Sequence, residues 1–267
     1  MKKTTILLCF SVILLLSGCA VKKQIPQPTK AEIYKSLYEE KPVTVLIMPP
    51  INRTENVEAK DMFHSTLSMP ICNAGYYVIP PFLSMEILKQ ESAYDAELFL
   101  DASLSKFGEI FGADLALFTI IHQWKKTAVA GRINVEIEYI LKSTKTDSIG
   151  FQRKGNITLT PSLGAIPTSP IGLIVVAAAL VENTITNAAT DNAFVGLLCN
   201  NLMLSDLPAG RYSPQNGKDG HLFPGPREFK RTLNGKAKSL VKITTQSYSR
   251  YAIEDTSKDN SKNKKAK

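Results

Sequence analysis

The sequence predicts a mixed α/β domain: one sheet with flanking helices, then two carboxy-terminal helices and an extended arm. Three observations carry that expectation. Val43 to Met48 (VTVLIM) and Asp114 to Trp124 (DLALFTIIHQW) are near-continuous apolar runs, the pattern of strands buried on both faces. Arg132 to Leu141 alternates instead, with Ile133, Val135, Ile137, Tyr139 and Leu141 on one face and Asn134, Glu136 and Glu138 on the other, as in a half-exposed strand. Helical patterns separate the two buried runs, and consecutive strands follow them, which places helices and strands around one shared sheet. A chain of 267 residues that is 44% hydrophobic can bury a core of this kind, so whole-chain disorder is excluded.

In chain order, residues 1–19 come first and read MKKTTILLCFSVILLLSGC. Lys2 and Lys3 precede an apolar run from Ile6 to Leu16, and small residues close it, which is a secretory signal. The run is short of the roughly 20 residues that span a bilayer. Leu16-Ser17-Gly18-Cys19 resembles the lipobox of bacterial lipoproteins. That resemblance implies cleavage before Cys19, a diacylglyceryl group on its thiol and a further acyl chain, commonly palmitate, on the new amine. Each buried methylene contributes about 0.8 kcal/mol, so two or more chains hold a protein on a membrane where one binds reversibly. The alternative is an ordinary secreted protein in which Cys19 is incidental. Ala20, rather than an aspartate, follows the cysteine, which points to the outer membrane with the domain facing the periplasm. The formal charge of +8 therefore does not suggest nucleic acid.

Ala20 to Thr29 (AVKKQIPQPT) is polar and proline-bearing, a tether between lipid and domain. Tyr34, Leu37 and Tyr38 mark a short helix ended by Pro42. After the first strand, a helix is expected from about Val57 to Ser68, with Pro70 interrupting it or marking its end. Tyr76 to Ile79 is a short strand stopped by Pro80-Pro81. Ser84 starts a helix with Met85 and Leu88, and a second covers about Ala96 to Phe111 and stops at Gly112. Residues 149–159 pair with the alternating strand, and the linker KSTKTDS is too short for a crossover helix, so the two are antiparallel.

Ser169-Pro170 opens IGLIVVAAALVENTITNAAT, whose apolar part, Ile171 to Val181, is too short to span a bilayer and suits a helix packed on the sheet or on another subunit. Asp191 caps a further helix to about Leu204, with Phe194, Leu197, Leu198 and Leu202. Beyond Leu207 the chain is rich in Gly and Pro and reads as an ordered arm. Lys258 to Lys267 holds five lysines and no apolar residue that could be buried, which reads as a solubilising tail or a weak attachment to anionic lipid or cell wall. The expected organisation is a signal at 1–18, a lipidated tether at 19–30, the α/β domain at 31–229 and a basic, partly disordered tail at 230–267.

Chemistry is scarce. Of the four cysteines, Cys9 leaves with the signal and Cys19 takes lipid. Cys72 and Cys199 remain. In an oxidising envelope they are a candidate disulfide, closing a loop worth about 3 to 5 kcal/mol by chain entropy, or else two separately buried thiols. His64, His122 and His221 have no metal-ligand spacing, and no phosphate loop, nucleophile elbow or dinucleotide fingerprint is present. No cofactor, metal site or catalytic residue is assigned. Glu136 and Glu138 could flank a substrate, but a solvated strand face demands such residues anyway. Tyr76-Tyr77 and Trp124 are either a partner surface or strand packing.

Met48-Pro49-Pro50-Ile51-Asn52, Met69-Pro70, Gly75-Tyr76-Tyr77-Val78-Ile79-Pro80 and Ile110-Phe111-Gly112-Ala113-Asp114 resemble a family of meningococcal-type lipoproteins of unknown function, first noticed as genome-derived antigens. Pro208, Gly210 and Arg211, then Gly225-Pro226-Arg227, extend the likeness into the arm. The resemblance covers about Lys41 to Arg227. It implies a fold similar to the amino-terminal domain of TolB and to CsgG-type lipoproteins, and an accessory role beside a CsgG-like lipoprotein in envelope transport or assembly. The chain departs from the pattern at Arg53-Thr54 and at Phe151-Gln152, where the family often places a tryptophan. The expected function is that of a non-enzymatic, lipid-anchored envelope module with protein partners and a possible homo-oligomer. The alternatives are an envelope hydrolase with an unrecognised site and a cell-wall-binding lipoprotein.

Overall fold

Residues 27–126, 132–161 and 192–235 are described by the computed structural model. Two short helices, α1 (Lys30–Ile33) and α2 (Lys35–Glu40), lead in; Glu32 accepts the Thr29 N–H at 2.6 Å across α1, and Lys41 ends α2 in the left-handed region at φ 49°. Strand β1 (Thr44–Ile47) follows, then β2 (Ile51–Asn52), α3 (Glu58–Thr66), α4 (Ser68–Asn73) and β3 (Tyr77–Val78). Helix α5 (Pro81–Gln90), a single 3-10 turn (Ala96–Phe99) and α6 (Ser105–Phe111) lead to β4 (Leu115–Lys126). The long strands β5 (Ile133–Ser143) and β6 (Ile149–Pro161) come next, then α7 (Asn192–Leu204) and β7 (Glu228–Gly235).

The seven strands form one mixed sheet in the order β3-β1-β4-β5-β6-β7, with β2 continuing alongside β4. β1 is parallel to β3 and β4, the β4-β5 and β5-β6 pairs are antiparallel, and β7 returns parallel to β6. This is the mixed α/β architecture that the apolar runs and the alternating strand predict. Asp114 joins the strand starts: its carboxylate accepts the Val43 and Thr44 N–H groups at 2.9 and 3.1 Å and the Lys145 ammonium at 3.0 Å.

Side-chain parity divides the core in two. Val45, Ile47, Leu115, Leu117, Ile121 and the odd-numbered residues of β5 face Tyr34 and helices α2, α3, α4 and α7, where Phe63 meets Trp124 edge to face at 5.4 Å. Leu46, Met48, Ala116, Phe118 and Ile120 face the other way, onto Leu88 of α5, Leu104 just before α6 and Phe107 of α6. The runs at 43–48 and 114–121 are apolar at both parities because both faces of β1 and the first half of β4 are covered.

The structure alters several expectations. The helix expected over Ala96 to Phe111 is two pieces, because Leu98 and Ile110 stand exposed and Asp147, far along the chain, accepts the Leu104 N–H at 2.7 Å just before α6. The helix expected at Ser84 begins at Pro81, where a missing N–H costs nothing, and the Ser84 hydroxyl turns back onto the Pro81 carbonyl. Pro70 lies in the first turn of a separate helix, α4. The boundary expected at 229/230 falls inside β7, whose sparse apolar residues, Phe229 and Leu233, face the core. The apolar segment Ile171 to Val181 and the basic tail at 258–267 lie outside the described residues.

Candidate functional site

Among the described residues, α5, α6 and the segment between them cover the second sheet face over β1, the start of β4 and the Ile140 end of β5. Among the described residues, the same face of β5 and β6 carries Glu136, Glu138, Gln152, Lys154, Asn156 and Thr158, all half-buried. A register shift between Ile121 and Gln123 marks a β-bulge in β4, and the extra residue, His122, is half-buried beside Glu138. His122 Nε2 lies 3.0 Å from the Glu138 carboxylate, whose other oxygen accepts Gln152 Nε2 at 2.6 Å. The Gln152 carbonyl in turn accepts Arg227, which lies just before β7. Beside this line, Lys154 pairs with Glu136 at 2.8 Å. The polar strip thus runs from β4 across β5 and β6 to the segment entering β7.

Its charges are held in the ionised form. The hydrogen bond from Lys154 lowers the Glu136 carboxyl below its ordinary value and raises the lysine. Burial pushes Glu138 up, but the hydrogen bonds from Gln152 and His122 outweigh it, so Glu138 also lies below its ordinary value. A strip of paired, ionised groups on a rigid sheet offers fixed donors and acceptors to a partner. Neither glutamate is raised, as the acid of a glycosidase pair would have to be.

On the opposite face a charged cluster is buried where the arm folds back. Arg153, on the core-facing parity of β6, reaches the carboxylate of Asp206 and donates to the Met203 carbonyl at 3.1 Å. Asp206 also accepts the Tyr34 hydroxyl at 2.8 Å and the Gly225 N–H at 2.9 Å. Lys30 stands 3.4 Å from Asp206 and 3.7 Å from Asp219, and Asp219 accepts the Ala209 N–H at 2.9 Å. One set of charges therefore joins α1, β6, the end of α7 and both ends of the arm. Burial pushes the Tyr34, Tyr38 and Tyr76 hydroxyls up, which keeps them neutral, and Tyr34 and Tyr76 act as donors. The arm is pressed further by glycine: a Cβ on Gly210 would stand 2.5 Å from the Gly75 carbonyl oxygen, and Gly75 has φ +93°.

Cys19 lies outside the described residues. Of the two alternatives for Cys72 and Cys199, the candidate disulfide is not formed and only one thiol is buried: Cys72 is exposed on α4, while Cys199 is fully buried on α7 and burial pushes its thiol up. The histidines are not brought together. His64 is on α3, His122 on the strip and His221 exposed on the arm. Among the described residues no three metal-binding side chains converge, and no helix is long and apolar enough to cross a membrane. Tyr76 and Trp124 are core residues, the former bonding the Pro208 carbonyl at 2.9 Å, whereas Tyr77 is exposed. Sequence reasoning missed Arg153, Asp206, His122 and Arg227. Arg153 had a signal, an arginine at the buried parity among Phe151, Ile157 and Leu159. The bulge that sets His122 beside Glu138 had none.

The family described as "Putative lipoprotein GNA1162-like" matches residues 33–209. The Neisseria meningitidis serogroup B protein named "Putative lipoprotein NMB1124/NMB1162" is 24% identical over 197 residues, 71% of this chain and 84% of its own length. Among solved structures, lipoprotein GNA1162 from Neisseria meningitidis aligns with a TM-score of 0.40 at 24% identity, over 55% of this chain and 99% of its own. A PelC dodecamer from Paraburkholderia phytofirmans aligns at 0.33 and 16% identity, over 44% and 73% of the two chains. The LpoB carboxy-terminal domain from Escherichia coli aligns at 0.31 and 13%, over 47% and 95%.

Proposed function

Because the chain belongs to the GNA1162-like lipoprotein family, we propose that it is an outer-membrane lipoprotein, held by lipid on Cys19, that works by protein contact as an accessory of envelope transport or assembly. The observation that supports contact is the half of the sheet face that no described helix covers, where His122, Glu138, Gln152 and Arg227 form a fixed polar strip beside the Glu136–Lys154 pair. A fixed strip favours a partner whose charges alternate in register with it, and opposes one whose charges do not. It needs no turnover. A CsgG-like lipoprotein is the partner class implied by the family resemblance alone.

The test places a photo-crosslinking side chain at Asn156 in the lipoprotein in intact cells, and at Met69 on the other face as a comparison. The proposal predicts a discrete protein adduct at Asn156, none at Met69, and loss of the adduct when Glu136 and Glu138 are both replaced by lysine. Equal adducts at both positions, or none at Asn156, would contradict it.

A further inference from the structure

We propose that the face formed by α1 and the arm rests on the bilayer, with Ile33, Leu222 and Phe223 seated among the lipid headgroups and upper acyl chains. The proposal deepens the lipid-anchor reading and rests on it. Two backbone hydrogen bonds gather the surface: Lys30 N–H to the Leu222 carbonyl at 2.8 Å and Ala31 N–H to the Gly220 carbonyl at 3.0 Å. Large apolar side chains are left outside at this junction, Ile33 at 53%, Leu222 at 47% and Phe223 at 61% exposure. Apolar side chains gathered where the tether enters the domain suit a membrane interface.

Chain length selects the occupant. About eleven residues separate Cys19 from Lys30, which reach at most ~40 Å fully extended and about 17–20 Å as a flexible coil. A lipid on Cys19 therefore keeps the start of α1 near the bilayer, and the exposed apolar side chains lie on the segments that meet there. The face also has a fixed attitude. Lys30, the first residue of α1, is buried between Asp206 and Asp219 at 3.4 and 3.7 Å, so the end of the tether is bolted to the arm that carries Leu222 and Phe223. Lys22 and Lys23 of the tether add positive charge on the same path, which suits anionic headgroups.

The experiment uses the full lipoprotein, purified with its native lipid and reconstituted in phosphatidylethanolamine–phosphatidylglycerol vesicles whose acyl chains are brominated. The only native tryptophan, Trp124, is buried at 8% exposure and reports both the fold and a constant background. Phe223→Trp places a reporter on the proposed face. Leu98→Trp places one on the 3-10 turn against the other sheet face, where the native side chain is 68% exposed. The proposal predicts that both variants float with vesicles, and that only the Phe223→Trp emission is blue-shifted and quenched, at least about twofold more than that of Leu98→Trp. Flotation with an unquenched tryptophan at 223 overturns the apposition and leaves the anchor standing. A blue shift that grows with protein concentration without quenching assigns the face to a second copy and overturns it too. Failure to float overturns the anchor, and the apposition with it.

Discussion

Replacing Arg153 tests whether the buried charge cluster holds the arm. Its guanidinium is almost wholly buried, bonds Asp206 and the Met203 carbonyl, and stands 5.2 Å over the Phe151 ring. Arg153→Met keeps most of the volume and removes the charge. Removing one partner of a buried pair costs about 3–5 kcal/mol, mostly through the charge left behind. Asp206 would not be abandoned, since Lys30 remains at 3.4 Å and Tyr34 and Gly225 still donate to it. The expected loss is therefore at the lower end, about 3 kcal/mol. Asp206→Asn strands the more deeply buried partner and is expected to cost about 4–5 kcal/mol. For a domain of this size each kcal/mol lowers Tm by about 2–4 °C, so Arg153→Met should fall by about 6–12 °C. Urea unfolding of the detergent-solubilised lipoprotein, followed by Trp124 emission, measures both variants and their combination. The double variant should cost about 2 kcal/mol less than the sum of the singles. Losses below about 1 kcal/mol for both, with additive effects, would refute the reasoning.

Burial lowers His64 from its ordinary 6.5, so the unfolded chain takes up the proton first; stability contributed by neutral His64 is present above that value and declines as pH falls below it. His64→Gln should flatten denaturation midpoints between pH 7 and about 5.5, and an unchanged slope would assign it elsewhere. At Asp114 burial is outweighed by its hydrogen bonds, so this carboxyl lies below 3.8; its contribution is present above 3.8, declines as pH falls below that value and is gone once pH has passed through the lower folded value, and Asp114→Asn should remove part of this acid-side decline. Gly210→Ala forces a Cβ against the Gly75 carbonyl and should cost about 1–3 kcal/mol while exposing the 208–225 arm to limited proteolysis. One thiol, Cys72, should react with a maleimide in the native lipoprotein, and Cys199 only after unfolding; no reaction in denaturant without reductant would restore the disulfide.

The central sheet was legible because burial constrains parity. Leu115 to Ile121 meets core on both faces, and Ile133 to Leu141 meets it on one, so each strand wears its environment in its sequence. Helix boundaries were harder. A single helix expected over Ala96 to Phe111 would place Leu98 and Ile110 on its apolar side, whereas both face solvent, and the Leu104 N–H just before α6 donates to the Asp147 carboxylate, which no local pattern reveals. The expected tail takes in residues 230–235 of β7, because Glu228–Gly235 offers Phe229 and Leu233 among polar residues and needs β6 beside it to be a strand. The polar strip was half visible. Glu136 and Glu138 follow from alternation, but their partners depend on a bulge in β4 and on the register of β6. The lipobox expectation, by contrast, needs no fold: it rests on the four consecutive residues Leu16 to Cys19.

Intact-mass spectrometry of the protein purified from its own membranes addresses that anchor most directly. A chain beginning at Cys19, heavier than its peptide mass by a diacylglyceryl group and a third acyl chain, is the result this account predicts. A product that still begins at Met1, or one cleaved before an unmodified cysteine, would contradict it.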